Sequence, residues 1–141
     1  MKKLMLIGKT GSGKTSLSQR LNNRPLGYKK TQAIEYEQYI LDTPGEYIEN
    51  SRFYNALTTV AVDCDVIGLL QAANETYDAF PPGFGASFNK PIIGIITKID
   101  LVENWSNARE ELIQAGAKKI FPFSAITNEG LENIKDYLQV T

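Results

Sequence analysis

Residues 8–15 read Gly8-Lys9-Thr10-Gly11-Ser12-Gly13-Lys14-Thr15, directly after the apolar run Leu4-Met5-Leu6-Ile7. This is the G-x-x-x-x-G-K-[ST] spacing, set between a short buried strand and a helical pattern, and it predicts a phosphate-binding loop. Glycines let the backbone curl so that successive N–H groups point inward at phosphate oxygens, and the next helix adds its positive end. Lys14 is then placed to reach the β- and γ-phosphates, and the Thr15 hydroxyl to ligate Mg²⁺. The expected ligand is a nucleoside triphosphate.

The chain has 141 residues, enough for one domain with a real core and too few for two. Met1-Lys2-Lys3 leads straight into the first strand, so a cleavable signal peptide would remove the phosphate loop, and a cytoplasmic protein is expected. No apolar run approaches the roughly 20 residues of a membrane span. The lone Cys64 fits a reducing compartment, and the absence of histidine excludes imidazole acid–base chemistry and imidazole metal sites. Net charge is −1, yet residues 1–34 carry eight basic side chains and no acid. That asymmetry favours a polyanionic ligand, which the phosphate loop already supplies. Nucleic acid is not expected, because basic repeats interleaved with aromatics are missing.

Apolar periodicity predicts strands at 3–8, 32–36, 38–42, 66–70, 92–96 and 120–123, with helices near 14–23, 50–62, 104–115 and 128–139. Strands buried on both faces and alternating with amphipathic helices imply a three-layer α/β fold around a mostly parallel six-stranded sheet. The segments 32–36 and 38–42 are too closely linked to be parallel and should form an antiparallel edge hairpin.

Three further motifs stand at predicted strand ends. Asp42-Thr43-Pro44-Gly45 offers an acid that can hold Mg²⁺ through water, and a glycine N–H for the γ-phosphate. Thr97-Lys98-Ile99-Asp100 offers a carboxylate able to accept both N1–H and N2–H₂ of guanine, which adenine cannot supply. The Lys98 stem would lie along the base, and Ser124-Ala125 would present an N–H to guanine O6. Such sheets bind ligands at the carboxyl ends of their strands. Thr31, between the first helix and second strand, is the candidate switch threonine for Mg²⁺ and the γ-phosphate. The expected nucleotide contacts are therefore Gly8, Lys9, Thr10, Gly11, Ser12, Gly13, Lys14, Thr15, Ser16, Gly45, Thr97, Lys98, Asp100, Ser124 and Ala125. Thr15, Thr31 and Asp42 are the expected metal ligands, and Lys14, Thr31 and Glu46 the expected catalytic residues.

In this order the motifs resemble a Ras-like GTPase domain over the whole chain. Lys30-Thr31-Gln32-Ala33, Asp42–Tyr47, Pro82-Gly83-Phe84 and Lys90–Gly94 further resemble the ethanolamine/propanediol-utilisation P-loop proteins, the EutP/PduV family. The resemblance implies a cytoplasmic accessory protein of a bacterial microcompartment pathway, with a pathway protein as partner. It also brings in ATP and acetate kinase activity, assigned to some members, against the GTP/GDP that Asp100 favours.

The sequence departs from the general GTPase pattern in three places. Thr31 and Asp42 are eleven positions apart, so the edge hairpin is short. Pro81-Pro82-Gly83, Gly85 and Pro91 leave the third helix shortened or missing, and Phe80, Phe84 and Phe88 should cover a sheet face. Glu46 stands where many GTPases place a water-orienting Gln, and Thr10 crowds the entry of an activator. Intrinsic hydrolysis is thus expected to be slow, on the order of 10⁻⁴–10⁻² s⁻¹. A GTP-dependent switch, an acetate kinase using Lys9, Lys30 or Arg52 to hold its substrate, and a scaffold that binds nucleotide without turnover are the three functional readings.

Overall fold

The computed structural model describes residues 1–27, 34–75 and 80–139. Thr31 and Lys30 lie outside these residues, so the switch-threonine expectation falls outside what the structure describes. Six strands form one sheet in the order β2-β3-β1-β4-β5-β6. They are β1 (Leu4–Ile7), β2 (Glu35–Glu37), β3 (Ile40–Asp42), β4 (Val66–Ala72), β5 (Ile92–Thr97) and β6 (Lys119–Pro122). All pairings are parallel except β2 with β3, the expected edge hairpin.

Helices α1 (Lys14–Leu21) and α5 (Leu131–Gln139) cover one face. There Leu17, Leu21, Ile134 and Leu138 pack on Leu4, Leu6, Leu70, Ile93 and Ile95. On the opposite face α2 (Glu46–Glu49), α3 (Tyr54–Ala61) and α4 (Ser106–Gln114) join a second cluster. Met5, Ile7, Ile67 and Leu69 meet Ile48, Leu57, Ala108 and Leu112 in it. Alternate side chains of β1 thus point to opposite layers, as a doubly covered strand requires.

Several boundaries differ from the sequence expectation. The hairpin turns at Gln38-Tyr39, not at residue 37, with Glu37 opposite Ile40 and Gln38 at φ 54°. A two-residue loop between right-twisted strands favours positive φ, a demand that an apolar pattern does not display. The single helix expected over 50–62 is two pieces, a 3₁₀ turn at Ser51–Phe53 and α3, and the short α2 precedes it. The break is Asn50, whose backbone is extended while its side chain accepts from the Arg52 N–H at 3.1 Å and starts the next turn. Helix α5 begins at Leu131 because Asn128 and Gly130 both adopt positive φ. Within residues 80–91 the regular structure is a 3₁₀ turn at Phe84–Ser87. Phe80, Phe84 and Phe88 are buried in the second cluster, with ring centroids 5.3–5.4 Å apart. They cover the sheet where a longer helix would otherwise cross.

Candidate nucleotide site

The chain runs from β1 to the hairpin on one side and then back past β1 to β4 on the other, which makes the carboxyl end of β1 the switch point of the sheet. The phosphate loop occupies that point. Gly13 caps α1 with φ 98°, a conformation L side chains resist. A Cβ there would also stand 3.1 Å from the Thr97 side chain. Lys14 is 6% exposed, and its Nζ donates to the Lys9 carbonyl at 3.1 Å. Burial pulls its pKa below the ordinary lysine value, and the charges of Asp42 and Glu49 partly oppose that pull. Below the loop, the Thr15 hydroxyl donates to Asp42 Oδ2 at 3.2 Å, joining two expected metal ligands from α1 and the end of β3.

Two side chains of the Thr97–Asp100 segment hold the loop from β5. Thr97 Oγ1 donates to the Ser12 carbonyl, and Lys98 Nζ donates to the Gly11 carbonyl at 2.7 Å. Lys98 itself adopts φ 58°, which turns the chain sharply out of β5. Asp100 Oδ1 accepts from Ser124 Oγ at 2.8 Å, so the third and fourth motifs meet across the ends of β5 and β6. Ser124 N–H is spent on the Glu129 carbonyl, and Arg20 donates to the Ala125 carbonyl at 2.9 Å.

These contacts bound a cavity of about 210 Å³ beside the loop. Gly13, Ser16, Thr97, Lys98, Asp100 and Ala125, all expected nucleotide contacts, line it. Four apolar residues that sequence reasoning missed complete the wall: Leu26, Leu101, Phe123 and Ile126. Leu101 and Ile126 are 58% and 70% exposed. A planar base seated there would cover them. The signal that could have found Leu101, Phe123 and Ile126 is proximity, since each adjoins a motif residue, whereas Leu26 stands in the connection after α1 with no such signal.

The remaining expected residues diverge. Gly45 packs directly on Thr10, leaving no room for a Cβ against the Thr10 backbone and hydroxyl. Glu46 is exposed in the first turn of α2. The acidic side chain that does reach the loop is Glu49, one turn later, whose Oε2 accepts from the Thr10 N–H at 3.0 Å. Sequence reading missed Glu49, as it missed Glu75, which holds Lys9 Nζ at 2.9 Å. Arg52 is exposed and lies over the Phe53 ring at 4.9 Å. Among the described residues no helix is long and apolar enough to cross a membrane.

The sheet order, the loop at β1 and the flanking helices make this the Ras-like P-loop GTPase fold. Among solved structures, a chain described as Methanosarcina barkeri Roco2 RocCORdC bound to GDP superposes with a TM-score of 0.63 at 19% identity. The match covers 98% of this chain and 47% of that longer one, and the likeness is one of fold. The protein belongs to the PduV-EutP family, described as ethanolamine utilisation – propanediol utilisation, whose family model matches residues 1–140. It is 42% identical to the propanediol utilization protein PduV of Citrobacter freundii, over 98% of this chain and 93% of that protein. It is 32% identical to the probable acetate kinase EutP of Salmonella typhimurium, over 98% of this chain and 89% of that protein.

Proposed function

We propose that this chain is a Mg²⁺-dependent purine nucleotide-binding protein that takes GTP and hydrolyses it slowly. In this reading it acts as an accessory factor of ethanolamine or propanediol utilisation and the associated microcompartment. The observation that carries the base assignment is the Ser124 hydroxyl's hydrogen bond to Asp100, whose side chain lines a cavity beside the phosphate loop. A carboxylate held by a neighbouring hydroxyl is fixed in direction, and guanine offers it N1–H and N2–H₂ where adenine has an acceptor at N1 and no amine at C2. Ala125, which lines the same wall, is the residue of the Ser-Ala pair that a base edge would meet.

The Thr15–Asp42 pair fits Mg²⁺, which prefers oxygen donors and takes few of them from protein. Thr15 and Asp42 would hold the ion, which would supply positive charge against the phosphates during transfer. Lys14 would leave the Lys9 carbonyl for the phosphates, whose negative charge would offset the burial that disfavours its ammonium form. Glu46, at the solvent side of α2, is poorly placed to hold water without movement of that helix, in line with slow turnover.

The acetate kinase reading draws on the names of the EutP relatives. A carboxylate substrate needs a cation beside the γ-phosphate, and the described candidates are committed elsewhere: Lys9 to Glu75 and Arg52 to Phe53. Calorimetric titration with GDP and with ADP, each with Mg²⁺, separates the readings. The expected result is a GDP preference of about a hundredfold or more, lost in Asp100→Asn together with a gain for xanthosine diphosphate. Equal binding, or acetate-dependent formation of ADP from ATP, would overturn the GTP assignment.

A further inference from the structure

Helix α2 brings to the phosphate loop a carboxylate that the proposed function leaves without a role. Glu49 closes α2 and accepts from the Thr10 N–H at 3.0 Å. Gly45, the residue expected to meet the γ-phosphate, lies against the same Thr10 with no space for a Cβ. Glu49 and Gly45 are also tied by the backbone, Glu49 N–H donating to the Gly45 carbonyl at 3.3 Å. Its charge extends to buried Lys14, where it favours the ammonium form. Inward-facing amides and a buried lysine concentrate positive potential. The carboxylate sits at the edge of that field next to the position assigned to the terminal phosphate.

A second anion brought to one donor meets like-charge repulsion. A triphosphate must contest the Thr10 edge, whereas a diphosphate stops one phosphate short of it. We propose that Glu49 is a specificity-determining residue whose carboxylate competes with the terminal phosphate at Thr10 and biases the site towards the diphosphate. Triphosphate binding then requires Glu49 to leave the loop, and α2 moves with it. The inference rests on the reading of the loop as a purine nucleotide site.

The test is equilibrium titration of the full chain with GDP and with a non-hydrolysable GTP analogue, at fixed salt with Mg²⁺, in wild type, Glu49→Gln and Glu49→Ala. Glu49→Gln keeps the size and an accepting oxygen but removes the charge. Both variants should raise analogue affinity relative to GDP by about tenfold, with GDP affinity held within about twofold. An unchanged ratio in both variants, or a change in Glu49→Ala alone, overturns the proposal, since charge would not be the cause. If neither wild type nor variants bind GDP, the guanine reading fails first and takes this inference with it.

Discussion

Cys64 ends the turn after α3 at 2% exposure, between Asp63 and Asp65. Burial first, and then the two carboxylates, push its thiol from 9.0 up to about 11. The folded protein therefore keeps this proton where the unfolded chain loses it. Its contribution to stability is complete below about 9 and falls as pH rises from about 9 to about 11. Because the thiolate is the nucleophile, alkylation at pH 8 should be slow in the native protein and reach the rate of a free cysteine in denaturant. Rapid labelling of the native chain would contradict that burial. Other residues divide by what their roles depend on. Gly13, Lys14, Thr15, Asp42 and Asp100 were legible because each occupies a fixed offset from a strand end. Glu49, Glu75 and Leu26 were not, because their contacts depend on where connecting segments travel in space.

Elements follow the same division. Strands β1, β4 and β5 are buried along their whole length and carry the apolar runs Leu4–Ile7, Val66–Leu70 and Ile92–Ile96, so their existence could be read from those runs alone. The broken helix over 46–61 could not, since Asn50 continues a helical pattern as easily as it restarts one, and its cap is visible only once Arg52 N–H is located. Helix α4 shows how tightly one layer meets another. It lies over Gly94 of β5, where a Cβ would stand 3.1 Å from the Cβ atoms of Leu112 and Ala117 and 2.8 Å from Ile120 Cδ1. Two of those neighbours are backbone-fixed β-carbons, so α4 and its connection to β6 would have to lift. Gly94→Ala should cost about 1–3 kcal/mol, read as a lower urea midpoint with an unchanged slope. A midpoint equal to wild type would mean that α4 rides more loosely on the sheet than these distances imply.

At the scale of the whole molecule, the proposed phosphate, metal and base positions draw on the ends of β1, β3, β5 and β6, so a ligand spanning them would clamp four of six strands. A ligand bound only by the folded state at about a hundred times its Kd adds about 2.7 kcal/mol of stability. For a chain of this size that amounts to a rise in Tm of several degrees. GDP with Mg²⁺ should give this rise, and chelation with EDTA should reduce it most for GTP, which has more phosphate charge to neutralise. A Tm indifferent to both nucleotides would contradict the proposed site. The six-stranded topology was legible from the alternation of strands and helices, and the Phe80–Phe84–Phe88 cover from the four-residue spacing of its rings beside the prolines. The two bonds that hang the phosphate loop from Thr97 and Lys98 join positions more than eighty residues apart in sequence. The loop is thus not a portable cassette: residues 8–15 transplanted onto another strand–helix junction would arrive without the hooks that fix two of its carbonyls, and would need β5 carried along to keep their shape.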